Sequence, residues 1–296
     1  MNKDTFITCA VTADNSQSPH CPLTPSQIAT SAIAAARAGA SIVRVRVRDP
    51  DSGQYSNEVK LYREAIKQIR DSQVDVLINI TCALGGYLCV TQDGRMDKGA
   101  AGTDFVPQQQ RMQHVIELCH EGRFAPDIVT LDCGTFNYAD GNRTYVSTPG
   151  YIREGAQILH DLQVKPELQL FDTGNIWSVK QLLDAGLVAK PALLQLSTGT
   201  AYGLPTDTSY LLAMVNALPP ECIWSSFGTA TMQMPWVAQS VLLGGHVRVG
   251  LEDNLHLSPQ VYATNAQLVA QARTLVESLG LRVLNATQTR DLLKIT

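Results

Sequence analysis

The feature that most constrains the fold is the segment Ile42-Val43-Arg44-Val45-Arg46-Val47-Arg48-Asp49-Pro50, in which apolar and cationic residues alternate. This period of two is typical of a β-strand, so Arg44, Arg46 and Arg48 share one face and the valines share the other. One interpretation is a half-buried antiparallel strand with its arginines in water. The other is a parallel barrel strand whose arginines point inward near the mouth and form an anion site, because buried guanidinium groups need anionic partners.

The rest of the chain favours the barrel. Short apolar strands alternate with helices from Phe6–Val11 to a long helix at Tyr262–Leu279. The pattern gives eight βα units in 296 residues, which predicts a (β/α)8 TIM barrel forming one domain over residues 1–296. A doubly wound open sheet is the alternative, although the Gly-x-Gly-x-x-Gly motif does not follow the first strand. Residues 84–112 form a long irregular stretch, typical of a lid, a binding loop or an oligomer contact.

Composition excludes several classes of protein. The formal net charge is −4 and there is no basic run, which argues against nucleic acid as a partner. No stretch reaches the roughly 18 apolar residues of a membrane span. The N-terminus lacks a signal-peptide core, and the seven cysteines are scattered without Cys-x-x-Cys spacing. We therefore expect a cytoplasmic protein with reduced thiols.

In a barrel of this type the chemistry lies at the carboxyl ends of the strands. Polar residues recur at those ends, among them Asp14, Arg46, Thr81, Thr135, Asn137, Gln169, Arg248, Glu252 and Asp253. The arginine face lies opposite the adjacent Glu252 and Asp253, so these charges are placed to neutralise each other across the mouth. Two simpler explanations remain: βα loops are polar because they cap helices, and Glu252-Asp253-Asn254 is a strand end followed by a turn.

The segment Gly244–Asn254 resembles the β-keto acid cleavage enzymes, also called 3-keto-5-aminohexanoate cleavage enzymes. The likeness covers nearly the whole chain apart from residues 84–112, and it is carried further by residues 7–12, 36–50, 131–137, 166–167 and 265–269. The resemblance implies a (β/α)8 barrel that converts a small β-keto acid and acetyl-CoA to acetoacetate and a new acyl-CoA. It also implies a homo-oligomer, either a dimer or a tetramer.

The resemblance implies site residues as well. Family members hold a divalent metal, usually zinc, with a His-x-His pair on the second strand and a glutamate after the eighth, and an Arg–Asp pair generates the carbanion. Here the glutamate is Glu252 and the pair is Arg248 with Asp253. Arg44 and Arg46 stand in place of the histidines, and guanidinium has no lone pair to offer a metal. We therefore expect a lost metal site and no bound cofactor, with acetyl-CoA as a co-substrate.

Three hypotheses follow from this departure. The first is a metal-free carbon–carbon bond cleaving acyltransferase or lyase, in which Arg44 and Arg46 bind the substrate carboxylate and stabilise enolate charge. Its substrate site also contains Arg48, Asp14, Thr81, Thr135, Asn137 and Gln169. The second is a non-catalytic barrel that binds a small carboxylate or a CoA ester, with Arg44–Glu252 pairs filling the former metal site. The third is a metal held by His246, Glu252 and another residue.

Overall fold

The computed structural model describes residues 4–13, 18–93, 102–138 and 141–295. The strands, in chain order, are β1 (Asp4–Thr5), β2 (Ile7–Ala10), β3 (Ile42–Val45), β4 (Leu77–Thr81), β5 (Tyr87–Cys89), β6 (Ile128–Asp132), β7 (Phe136–Asn137), β8 (Arg143–Tyr145), β9 (Lys165–Leu170), β10 (Ala192–Ser197), β11 (Cys222–Phe227), β12 (His246–Val249), β13 (His256–Ser258), β14 (Val261–Tyr262) and β15 (Arg282–Val283). The helices are α1 (Pro25–Ala38), α2 (Val59–Asp71), α3 (Gln108–Arg111), α4 (Gln113–His120), α5 (Pro149–Asp161), α6 (Asn175–Asp184), α7 (Thr208–Ala217), α8 (Gln233–Leu242), α9 (Asn265–Ser278) and α10 (Ala286–Leu293), with a 3-10 turn at Ala230–Met232.

Eight parallel strands of the described chain close into a barrel in the order β2, β3, β4, β6, β9, β10, β11, β12. Each strand pairs with the next barrel strand in sequence, and at least one helix connects them, as right-handed βα crossovers require. Thr24 caps α1 through its hydroxyl group and Pro25 occupies the first turn, as the sequence predicts. The predicted (β/α)8 fold is confirmed, and the open doubly wound sheet is wrong.

Strand β3 explains the alternation of the arginine segment. Val43 and Val45 pack in the core between the barrel and its helices. Ile42 faces the barrel interior, and Arg44, two residues on, shares its face. The antiparallel interpretation of this strand is therefore wrong. The regular strand also ends at Val45, earlier than the sequence pattern indicates, because Arg48 forms an antiparallel bridge with Tyr55 instead.

An apolar plug closes the amino-terminal end of the barrel. It consists of Phe6, Ile42, Leu77, Ile128 and Leu193, covered by Leu284 and by Leu293 of α10. His246 lies at the same end, where its ring stacks on Phe6 with 3.9 Å between centroids and Nδ1 accepts a hydrogen bond from the Phe6 amide at 3.0 Å. Burial lowers the pKa of His246 to about 3, so the imidazole is neutral.

The region 84–112 is more regular than its sequence indicates. Strand β5 pairs antiparallel with β8, and β8 pairs with β7, giving a three-stranded sheet at the carboxyl end of the barrel. Arg111 of α3 anchors the segment, since Nε donates to the Val106 carbonyl at 3.1 Å and Nη1 to the Val146 carbonyl at 2.9 Å. Residues 94–101 lie outside the described part of the chain.

A second difference between the structure and the sequence prediction lies just before α9. Residues 256–262 form the hairpin β13–β14, so the helix begins at Asn265 rather than at Tyr262. Thr264 is the cap that fixes this start, because its hydroxyl accepts a hydrogen bond from the Gln267 amide. None of the helices in the described ranges is long and apolar enough to cross a membrane.

Candidate active site

A cavity of about 180 Å³ opens at the carboxyl end of the barrel. Of the residues that the sequence predicts for the site, the cavity lining includes Arg44, Arg46, Gln169, Arg248, Glu252 and Asp253. These side chains come from β3 and the residue that follows it, from β9, from β12 and from the loop after β12. The parallel barrel brings them together, because the carboxyl ends of all its strands meet at one face.

The charged side chains form a buried chain of ion pairs. Arg248 binds Asp253 in a two-point arrangement, with Nε and Nη2 each 2.8 Å from a carboxylate oxygen. Glu252 Oε1 lies 3.1 Å from Arg248 Nη2 and 3.1 Å from Arg44 Nη1. The exposed fraction of these four side chains is between 2% and 10%. Glu252 thus bridges Arg44 and Arg248, and the Asp253 carboxylate lies at the end of this network.

Burial and charge set the protonation of these groups. Burial raises the pKa of Asp253 to about 6, against the opposing effect of Arg248. Burial alone would also raise the pKa of Glu252, but Arg44, Arg248 and Arg46 together lower it below its ordinary value. Glu252 therefore favours its ionised form, whereas Asp253 has a pKa of about 6, above that of an ordinary aspartate. The two adjacent carboxylates are suited to different tasks.

Tyr55 holds the other arginines of the segment. The Arg46 guanidinium carbon lies 3.5 Å from the centre of the Tyr55 ring, and that of Arg48 lies 4.2 Å from it. The Tyr55 hydroxyl donates to the Thr12 carbonyl at 3.3 Å. Arg48 Nη1 donates to the Gly53 carbonyl, which ties the loop after β3 to the barrel. Arg46 faces the cavity, whereas Arg48 supports the loop.

Several predicted substrate residues do not line the cavity. Arg48 makes the loop contacts just described. Thr81 Oγ1 accepts from the Ala83 amide at 3.3 Å, and Thr135 Oγ1 accepts from the Ser147 amide at 2.9 Å, so both hydroxyls stabilise local backbone. Asn137 is exposed in β7. Asp14 lies outside the described residues.

An aromatic wall and a further carboxylate complete the cavity. The wall consists of Tyr87, Phe136, Tyr138 and Phe171, and Asp132 lies at the end of β6 among them. The ring centres of Phe136 and Phe171 are 4.1 Å apart, and those of Tyr87 and Tyr138 are 4.8 Å apart. Burial raises the pKa of Asp132, although Arg44 and a hydrogen bond with Tyr145 act in the opposite direction.

Sequence analysis assigned no role to these residues. Asp132 is nevertheless one of the polar residues at the carboxyl ends of the predicted strands, and it lies in segment 131–137, which carries the family resemblance. Leu131 and Cys133 are apolar and point into the outer core, so the alternation places Asp132 inside. The aromatic wall was not detectable, because the sheet that presents Tyr87 and Phe136 is built from strands far apart in sequence.

The residues at the mouth do not fit the zinc site that the sequence resemblance implies. Arg44 and Arg46 stand where imidazole ligands are expected, and Glu252 Oε1 is already bound by Arg44 and Arg248. Zinc needs at least three protein ligands, and the described residues contain no group of three histidine, cysteine, aspartate or glutamate side chains placed to hold a metal. The hypothesis that His246 joins Glu252 in a metal site is wrong, because His246 packs on Phe6 at the opposite end of β12.

Comparisons with known proteins agree with this architecture. A family model described as beta-keto acid cleavage enzyme matches residues 4–295. The chain is 42% identical to the 3-dehydrocarnitine:acetyl-CoA trimethylamine transferase of Rhizobium meliloti (strain 1021), covering 100% of this chain and 98% of that protein. It is 29% identical to the 3-keto-5-aminohexanoate cleavage enzyme of Fusobacterium nucleatum, covering 98% and 97% respectively.

The fold is also found among solved structures. The binary complex of ObcA with oxaloacetate superposes with a TM-score of 0.74 at 19% identity, covering 94% of this chain and 68% of that chain. Dihydrodipicolinate synthase from Aquifex aeolicus superposes with a TM-score of 0.52 at 9% identity, covering 98% and 79% respectively. At such identities the likeness concerns the barrel alone.

Proposed function

The chain belongs to the β-keto acid cleavage enzyme family, whose members act with acetyl-CoA on keto acids, and we propose that it performs this reaction without a metal ion. The observation that carries the proposal is the buried network of Arg44, Glu252, Arg248 and Asp253, which lines the barrel mouth beside Arg46. In this proposal the fixed positive charge of the arginines takes over the task of the family's dication.

The reaction needs a proton acceptor and stabilised oxyanions. A β-keto acid, R–CO–CH2–COO⁻, loses a proton from its CH2 group, and the resulting enolate attacks the acetyl-CoA carbonyl and expels the CoA thiolate. The thiolate then attacks the R–CO carbon and the carbon–carbon bond breaks. Acetoacetate leaves after its enolate takes back a proton, and R–CO–S-CoA is the second product. The R–CO oxygen carries negative charge in the first enolate and again after the thiolate attacks, and the acetyl oxygen carries it in the first tetrahedral adduct and in the acetoacetate enolate. Preorganised cations stabilise such oxyanions.

The side chains divide these tasks. Asp253 takes the proton, because a carboxylate with a pKa of about 6 is ionised at neutral pH and more basic than an ordinary aspartate. Arg44 and Arg46 bind the substrate carboxylate and the enolate oxygen. Glu252 compensates part of the positive charge and keeps Arg44 and Arg248 in position. Each of these roles uses a group that lines the cavity.

We propose further that the keto acid carries a quaternary ammonium group. The aromatic wall and Asp132 form one side of the cavity, and aromatic faces together with a carboxylate are the usual environment of such cations. A bound cation also favours the ionised form of Asp132, whose pKa burial raises. The Rhizobium meliloti relative is named for 3-dehydrocarnitine, a keto acid of this class.

The test compares two substrates of the same shape. 3-Dehydrocarnitine and 5,5-dimethyl-3-oxohexanoate differ only in the central atom of the trimethyl group, nitrogen or carbon. We expect chelator-treated protein to form acetoacetate from 3-dehydrocarnitine and acetyl-CoA, with kcat/KM at least about tenfold above that for the neutral analogue. In the variant Asp132→Asn the ratio of the two kcat/KM values should decrease, because the carboxylate charge is lost. Equal kcat/KM values for both substrates would contradict the cationic specificity.

The alternative, a barrel that binds a carboxylate or a CoA ester without turnover, predicts a different result. Calorimetry would then detect binding of carnitine or CoA, while no acetoacetate would form with either keto acid. Activity that disappears on chelation and returns with zinc would instead contradict the metal-free mechanism.

We also propose a cytoplasmic homo-oligomer, a dimer or a tetramer. The seven cysteines are scattered along the chain without Cys-x-x-Cys spacing, a usage typical of reduced thiols in a reducing compartment. Light scattering on the purified protein measures the oligomer directly.

A further inference from the structure

A further cavity, of about 310 Å³, lies at the amino-terminal end of the barrel. We call it the basal cavity; it is lined by Lys165 at the start of β9, by the end of α5, by the segment that precedes β10 and by Lys294 and Ile295 after α10. Its volume is within the range of roughly 300–1,000 Å³ that is common for small-molecule pockets. Among the described residues, none lines both the basal cavity and the active-site cavity, so the two are separate sites.

Lys165 places a buried positive charge in the wall of the basal cavity. The residue is 8% exposed, and its Nζ donates to the Pro191 carbonyl at 2.6 Å and to the Ala189 carbonyl at 3.3 Å. Because an ammonium group carries three N–H donors, one donor remains for a ligand. Lys165 forms no ion pair with a carboxylate in the described part of the chain, and a buried charge is costly without an anionic partner.

The charged groups around Lys165 add to the positive charge of the cavity. Burial and the nearby Lys294 lower the pKa of Lys165 to about 8. Lys190 also lines the cavity, and it pairs with Glu221 at 2.6 Å. The exposed His160 is the remaining titratable group of the lining, to which no described aspartate or glutamate contributes. A bound anion would offset the repulsion between Lys165 and Lys294.

The remaining surface of the basal cavity constrains the rest of the ligand. Leu159, Val164 and Leu187 are buried residues that contribute apolar surface to the lining, and Ile295 adds to it. A bare phosphate ion would leave this surface without contact, whereas an aliphatic chain would cover it. The lining therefore favours an anion that carries an apolar part.

We propose that the basal cavity binds a small carboxylate with a short aliphatic chain, with the carboxylate held by Lys165 and Lys294 and the chain against Leu159 and Leu187. The inference goes beyond the proposed function and does not depend on it, because the cavity lies at the opposite end of the barrel from Asp253. None of the catalytic groups proposed above lines the basal cavity, so this carboxylate is a ligand and not a substrate.

The test titrates hexanoate and, separately, inorganic phosphate into the full-length protein by calorimetry. In Lys165→Met we expect Kd for hexanoate to rise at least about tenfold, the loss of a hydrogen bond to a charged group. In Lys294→Met, which removes an exposed charge, Kd should rise about threefold. Lys180→Met is the matched control, because Lys180 is an exposed lysine of α6 that does not line the cavity, and its Kd should equal that of wild type.

A third variant separates the two ends of the barrel. The proposed active site also binds carboxylates, so Arg46→Met should leave hexanoate binding at the basal cavity intact. Lys294→Met keeps the test valid if circular dichroism shows that Lys165→Met is unfolded. Binding that disappears in Arg46→Met but persists unchanged in the lysine variants would overturn the inference. Binding of phosphate without binding of hexanoate would overturn it too, as would the absence of hexanoate binding up to about 10 mM.

Discussion

At the amino-terminal end of the barrel Phe6, Ile42 and Leu193 pack into an apolar plug, whereas at the carboxyl end Arg44 and Arg248 meet Glu252 and Asp253. Strand β3 contributes to both ends, since Ile42 and Arg44 are two residues apart on one face. The plug gains free energy from burial of apolar surface. The mouth buries charged side chains instead. Replacing buried ion pairs with apolar groups of equal size often leaves a protein as stable as before, or more stable. The comparison assigns stability to one end and chemistry to the other.

Removal of the Asp253 charge should have the largest effect. Asp253→Asn keeps the shape of the side chain but cannot accept a proton, so kcat/KM should fall by roughly 10²–10⁴-fold. Steady-state assays of acetoacetate formation measure this. Asp71→Asn is the control, because Asp71 is an exposed aspartate that pairs with Lys67. A kcat/KM of Asp253→Asn within threefold of the wild-type value would show that another group removes the proton.

A substitution in the apolar plug should have the reverse effect, because it lowers stability and leaves activity nearly unchanged. Leu193 is fully buried, so Leu193→Ala should lower the free energy of unfolding by about 2–5 kcal/mol, measured by urea denaturation. At temperatures where the variant remains folded, kcat/KM should stay within twofold of wild type. A large loss of activity in the folded variant would mean that the two ends are not independent.

The proposed loss of the zinc site offers a sharper test of the mouth. The double variant Arg44→His/Arg46→His places two imidazoles beside Glu252, which restores three ligands of the kind that zinc prefers. Elemental analysis after dialysis should find less than about a tenth of an equivalent of zinc per chain in wild type. In the double variant the zinc content should rise to near one per chain, the content of a mononuclear site. The single variant Arg48→His serves as control, because Arg48 does not line the cavity. Stoichiometric zinc in wild type would contradict the reading of Arg44 and Arg46 as replacements for the metal.

The acidity of Asp253 predicts the pH profile. Its pKa is raised by burial to about 6, and the base acts only when ionised. The value of kcat/KM should therefore be constant above pH 6 and fall about tenfold per pH unit below it. Activity that remains constant down to pH 4 would assign proton removal to a more acidic group, such as Glu252, whose pKa is lowered.

The two ends also differ in how far the sequence predicts them. Local alternation predicts the inward arginines and the valines behind them, and the resemblance to a family identifies Arg248, Glu252 and Asp253. The alternation fails at Arg48, because the backbone leaves the strand after Val45 and pairs Arg48 with Tyr55. The position of such a bend depends on a loop that folds back, and strand periodicity carries no information about it.

Long-range pairing limits the prediction further. Thr135 and Asn137 are polar residues after a strand, but Thr135 is used to hold the Ser147 backbone and Asn137 is exposed. The aromatic wall depends on β5 pairing with β8, more than fifty residues later in the chain. No local pattern in region 84–112 specifies that partner, so the substrate side of the mouth requires the tertiary structure.

The smallest effect concerns the support of Arg46. Tyr55 stacks on Arg46 at 3.5 Å and on Arg48 at 4.2 Å, and such contacts contribute about 0.5–2 kcal/mol. In Tyr55→Leu the guanidinium of Arg46 loses this support, so KM for the keto acid should rise about fivefold, while KM for acetyl-CoA remains unchanged. Tyr55→Phe keeps the ring and loses the hydrogen bond to Thr12, so it should retain most of the affinity. Equal loss in the two variants would show that the hydroxyl group, rather than the stacked ring, positions the arginine. The mouth would then depend on a hydrogen bond to the end of β2 instead of on the cation–π contact.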